Sequence, residues 1–225
     1  MFYILPTKKG IGVEIWGTRN DLETLYDVFG RFWGEENNHI DKGYESRDRI
    51  ISGFAYELRK GYEGRRLVSK TNHFLTEDIE YFGTQLSWVH VFFSINALRY
   101  NSRFFETTKF EVSIFLQFEY WLEKAMNDYD EIGAKLLLPF ISDGIYSGNE
   151  HLYLYMRRID IDYLLMNGGK IAFRQLPKLL NRAVFNTKEY KSYLRQLEKD
   201  VAKFGCKISE LELNDDAVDY EKQRW

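Results

Sequence analysis

Residues 86–101, LSWVHVFFSINALRYN, constrain the fold more than any other segment of the chain. The run is long for a strand and lacks two-residue alternation, although its β-branched and aromatic content suits one. Length decides for a helix. With 3.6 residues per turn, Ser87, His90, Ser94 and Asn101 then project within roughly 60° of one another. Leu86, Val89, Phe93, Ala97 and Tyr100 fill one flank, and Trp88, Phe92 and Ile95 lie on the far side with Arg99. A helix that is apolar nearly all round belongs at the centre of a core. Its polar seam is either a hydrogen-bonded strip facing another helix or the lining of a cavity. Each buried polar group left without a partner costs about 1–3 kcal/mol. Ser87 and Ser94 can bond to preceding carbonyls, which leaves His90 and Asn101 needing partners from elsewhere. These four residues are the candidate binding residues.

The segments around this helix read mainly α. FYIL and IGVEIW flank the turn-like PTKKG and form a short N-terminal β-hairpin. Asn20 with Glu23 is a candidate helix start, and so are Thr108 with Glu111 and Asp128 with Glu131. Ile50, Ile51, Phe54, Leu58 and Tyr62 make one apolar stripe, and Phe110, Ile114, Phe118, Trp121 and Ala125 make another. A third carries Ile132, Leu136, Leu137 and Phe140. Asn149 caps a helix ending at Asn167-Gly168-Gly169, and Pro177 is expected to break the segment that follows. A last helix runs to Gly205. The expectation is one mainly α domain over residues 1–205, with seven or eight helices and the hairpin. Residues 206–225 form an acidic C-terminal extension, in which Ile208 to Leu213 is a candidate strand for joining the hairpin.

Composition narrows the chemistry. In 225 residues, 31 Lys and Arg nearly balance 34 Asp and Glu, so nucleic acid is not indicated as a partner by net charge. Charge is uneven, however. Arg47 to Lys70 holds seven basic and three acidic residues, whereas Lys207 to Trp225 holds three basic and six acidic. Such runs are ordinarily solvated surfaces; the sharper alternative is that the basic segment meets an anionic partner or docks the acidic tail. Cys206 is the sole cysteine, so an internal disulfide and Cys-rich zinc sites are ruled out. The four histidines form no metal-binding pair, no cofactor motif is present, and no metal or cofactor is expected. Asp160 and Asp162 would face apart on a helix and read as surface charge. Gly168-Gly169-Lys170 reads either as an anion-holding helix start or as one helix ending beside the next. With no signal peptide and no apolar run long enough to span a bilayer, the expected location is the cytoplasm, with no membrane association.

Arg66 and His73, with Asn72 beside the histidine, are similar to the Arg-x(4–6)-His motif of HEPN ribonucleases. That resemblance implies metal-independent RNA cleavage by this pair, and it makes Arg66 and His73 the candidate catalytic residues. One feature departs from the family pattern, since Leu67, in place of a polar residue, follows the arginine; in that family the motif normally lies at a helix start, often with a dimer bringing two copies together.

TKKGIGVEIWG, DLETLYD, ISGFAYELRKGYEG and QLSWVHVFFSINALRYN together resemble a bacterial family described as a domain of unknown function. The resemblance spans about the first half of the chain. It implies a bacterial origin and supplies no activity. Missing catalytic motifs, abundant aromatics and uneven charge point first to a non-catalytic interaction protein or accessory subunit, with a protein partner or a second copy of itself. The alternatives are an RNA- or nucleotide-directed enzyme and a small-molecule binder whose pocket is lined by the 87–101 seam.

Overall fold

Tyr3–Pro6 (β1) and Gly12–Gly17 (β2) pair antiparallel in the computed structural model, with Tyr3 opposite Trp16 and Pro6 opposite Val13. The structure describes residues 1–34, 42–71, 79–211, 213, 215, 216, 218 and 225. Two further strands, Leu67–Thr71 (β3) and Ile79–Ser87 (β4), extend the hairpin into a four-stranded antiparallel sheet of order β1-β2-β4-β3. The hairpin's neighbour is therefore β4 and not the C-terminal segment, in whose described residues Ile208–Glu210 forms a 3-10 turn. Gly83 permits the close pairing of β4 with β2. It lies opposite Trp16, and a Cβ there would meet the indole at 2.7 Å, so the ring covers the glycine.

Eight α-helices account for most of the described residues, and the protein is mainly α. They are Arg19–Gly30 (α1), Tyr44–Tyr62 (α2), Trp88–Ser102 (α3), Lys109–Tyr129 (α4), Glu131–Leu137 (α5), Leu152–Leu164 (α6), Gly169–Leu180 (α7) and Lys188–Phe204 (α8). The Thr108–Glu111 capping box opens α4 as its sequence requires. Elsewhere the caps move by a few residues. Thr18, not Asn20, caps α1 in a reciprocal box with Asp21, and Asp130, not Asp128, caps α5 by accepting from Gly133 N. Asn149 acts one turn early, accepting from His151 N ahead of α6. Pro177 does not break its segment: α7 runs through it for one more residue triplet before a 3-10 turn at Asn181–Ala183. So near the end, the proline forfeits a single helix hydrogen bond.

One apolar cluster runs from Phe2 to Leu197, with α3 at its centre against α2 and α6. The expected stripe on α4 holds at Ile114, Phe118 and Ala125, whereas Phe110, in the first turn, is exposed. On the next segment Leu137 and Phe140 are buried while Ile132 and Leu136 face outward. A smaller cluster of Ile11, Ile161, Leu164 and Val218, with Leu213 and Trp225 against it, ties residues of the acidic C-terminal segment to α6.

Candidate functional site

The seam of α3 divides into two parts of different character. At its C-terminal end Asn101 is buried, its Oδ1 accepting from Arg47 Nε at 2.6 Å and its Nδ2 donating to the Phe32 carbonyl at 2.7 Å. Arg47 itself is fully buried, donates to the Ser147 carbonyl at 2.8 Å, and stacks over Tyr100 at 4.3 Å. Asn101 thus completes a buried cationic network and offers nothing to a ligand. Asn96 was left out of the seam by sequence reasoning, yet it is a second buried amide. It donates to the Phe92 and Phe140 carbonyls and accepts from Ile145 N, so every polar atom is used. Ser94 is buried with its Oγ unpartnered, contrary to the expected bond to a preceding carbonyl.

The N-terminal end is different. The helix begins at Trp88, two residues later than its apolar run suggests, because Leu86 and Ser87 belong to β4. Ser87 has extended backbone and caps α3, its Oγ accepting from His90 N at 3.0 Å. Ser87 also lies close enough to Asp160 on α6 to lower its carboxyl pKa. This β4–α3 corner, α2 and α6 border an open cleft of about 790 Å³ lined by Glu57, Ser87, His90 and Asp160, with Arg65 and Arg66 at one side. Its apolar wall is Leu67, Leu86, Leu164 and Trp225. Size and mixed lining match those of small-molecule sites, which commonly span about 300–1,000 Å³.

Two of the residues lining this cleft hold a polar atom that is shut from solvent and has no hydrogen-bond partner within the protein, His90 Nε2 and Asp160 Oδ1. Burial pushes the His90 imidazole down to about 4, offset in part by the Ile50 carbonyl and the Glu57 carboxylate, so the ring is neutral at pH 7. Burial pushes the Asp160 carboxyl up to about 6, against the Ser87 hydrogen bond and the charge of Arg157. Neither arginine at the side is free to neutralise Asp160: Arg66 forks onto Glu57 at 2.7 and 3.0 Å, and Arg65 approaches Glu63 at 3.2 Å. Asp162 does point away from Asp160, pairing with Arg158 and Arg182. Reading Asp160 itself as surface charge is corrected by its enclosed carboxyl. A signal for it existed, since Asp160 sits midway between Met156 and Leu164, four residues from each, at the edge of the buried face of α6.

Ser87 and His90 are therefore brought together with Asp160, Ser94 and Asn101 are not, and Arg66 joins the cavity from the turn before β3. His73 and Asn72 lie outside the described residues. Arg66 leads into a strand, unlike the helix start usual for the Arg-x(4–6)-His motif. The Gly168-Gly169-Lys170 corner is a chain crossing, where Gly169 N donates to the Lys9 carbonyl at 2.7 Å. Among the described residues no group of three or more His, Cys, Asp or Glu side chains is placed to hold a metal ion, and no helix is long and apolar enough to cross a membrane.

Together these features define a mainly α protein with a small antiparallel sheet, carrying a polar cavity where sheet and helices meet. The chain belongs to the family described as Domain of unknown function (DUF6904), whose model matches residues 2–225 and so extends the likeness seen in the first half to the whole chain. No curated protein and no solved structure matches it.

Proposed function

We propose that the protein binds a small molecule in the cavity between α2, the β4–α3 corner and α6. The ligand presents hydrogen-bond donors, as an amine or a hydroxyl does, on an apolar body. The observation that carries this reading is that His90 and Asp160, which both line this cleft, each hold a polar atom, Nε2 and Oδ1, with no partner within the protein. A buried acceptor without a donor destabilises the empty protein, so a ligand that shifts the wall enough to reach these atoms and supplies the donor recovers that free energy on binding. The leucines and Trp225 suit an apolar body. Binding is the whole of the proposed activity, in keeping with a non-catalytic accessory role, and Arg66 is already occupied by Glu57.

A thermal-shift panel of small amines, polyols and carboxylates tests it, because a ligand that binds only the native state raises apparent stability. Amines or polyols are expected to raise the Tm of the wild type, and the rise is expected to vanish in Asp160→Asn and shrink in His90→Ala. Stabilisation that survives both substitutions, or comes from the carboxylates alone, contradicts the assignment.

A further inference from the structure

We infer that α4 carries a docking surface for a second copy of this chain, paired antiparallel about a two-fold axis through Leu116. The inference is independent of the cavity. Along α4, Lys109, Val112, Leu116, Tyr120 and Glu123 fall within roughly 80° of one another on the helix. All are exposed, and the apolar members strongly so: Leu116 is 59% exposed and Tyr120 61%. The opposite face, Ile114, Phe118, Leu122 and Ala125, already fills the core, so core packing does not account for the outer stripe. A row of exposed apolar side chains rimmed by polar ones marks an interaction surface.

The order of the residues selects the occupant. Lys109 and Glu123 each lie seven positions from Leu116, and Val112 and Tyr120 each lie four. Laid against an antiparallel copy with Leu116 on the axis, Val112 meets the partner's Tyr120 and Lys109 meets the partner's Glu123. Both contacts occur twice, as a self-complementary interface requires. Neither Lys109 nor Glu123 has an ion-pair partner among the described residues, whereas the neighbouring Lys124 is engaged by Asp128. Lys109 is also the first residue of α4, where a positive charge opposes the helix dipole, so an acid from a neighbour relieves it. A parallel pairing instead sets Lys109 against Lys109 and Glu123 against Glu123. One helix pair falls at the low end of interface areas, below about 1,200 Å², so the dimer is weak and concentration-dependent.

Sedimentation equilibrium from low to high micromolar chain concentration tests this. The wild type is expected to pass from monomer to dimer, and Leu116→Glu, at an exposed position, is expected to stay monomeric with an unchanged circular dichroism spectrum. Lys109→Glu and Glu123→Lys each place two like-charge pairs in the interface, and each is expected to weaken association at least about tenfold. The double variant is expected to recover it. A wild type that remains monomeric overturns the inference and leaves a different protein as the occupant of α4. A dimer indifferent to Leu116→Glu, or a double variant no tighter than the single ones, also overturns it.

Discussion

Two residues of the α3 seam, both buried and both polar, make opposite predictions. Removing the Asn101 side chain strips an acceptor from a fully buried arginine, so Asn101→Ala is expected to cost about 1.5–3 kcal/mol in urea denaturation. Ser94 Oγ has no partner to lose, so Ser94→Ala is expected to be neutral or stabilising by up to about 1 kcal/mol. Equal losses at both positions would show that the seam behaves as one network. At this scale the sequence was legible where a pattern stood alone. A seam of polar side chains is visible from helical spacing, and so is the need of His90 and Asn101 for outside partners. What those partners are depends on residues distant along the chain, Arg47 and Phe32 for Asn101 and the Ile50 carbonyl of α2 for His90, which periodicity cannot place. Asp160 reads as surface charge because it sits only at the edge of the buried face of α6, and the groups that enclose its Oδ1 come from other elements.

Caps and tethers decide how elements begin and hold together. Asp130 ends α4, caps α5 through Gly133 N, and receives Arg174 of α7 on both oxygens, at 2.8 and 2.7 Å. The Arg174 guanidinium, above all, holds the Asp130 carboxyl down at about 2. A depressed carboxyl contributes stability above its unfolded pKa, about 3.9, and loses it as pH falls through the folded value. Asp130→Ala is therefore expected to cost about 2 kcal/mol at pH 7, with the gap from wild type closing between pH 4 and 2 in chemical denaturation. A gap that does not change with pH would mean that the carboxylate's charge plays no part. Helix interiors were readable from the sequence because apolar spacing repeats, and their ends less so, because Asp128 and Asp130 both satisfy the cap pattern. The strands β3 and β4 were missed because no turn signal sets LVSKT and IEYFGTQLS apart as a hairpin, and the sheet that orders β4 is assembled from β2 on one side and β3 on the other. Their apolar end merges into α3 without a turn residue, so β4 and the helix read as one run.

For the molecule as a whole, His90 and Asp160 act on acid stability with opposite signs. The folded His90 titrates near 4 and the unfolded one near 6.5, so acid favours the unfolded state across that window. The folded Asp160 titrates near 6 and the unfolded one near 3.8, so acid favours the folded state between those values. Each effect reaches roughly 3 kcal/mol at full extent, and between pH 6 and 4 they nearly cancel. Relative to wild type, Asp160→Asn is expected to lose stability as pH falls from 6 to 4, and His90→Gln to gain it. Two variants with parallel pH profiles would contradict this.

The central claim is that the cavity beside α3 is a ligand site, and it is tested most directly by following the His90 imidazole in NMR spectra during addition of the stabilising amines and polyols. The account predicts that the His90 Cε1–H resonance shifts saturably in the wild type, and that the shift is lost in Asp160→Asn. Ligands that stabilise the protein while leaving His90 unperturbed, or that perturb it equally in both proteins, would contradict it.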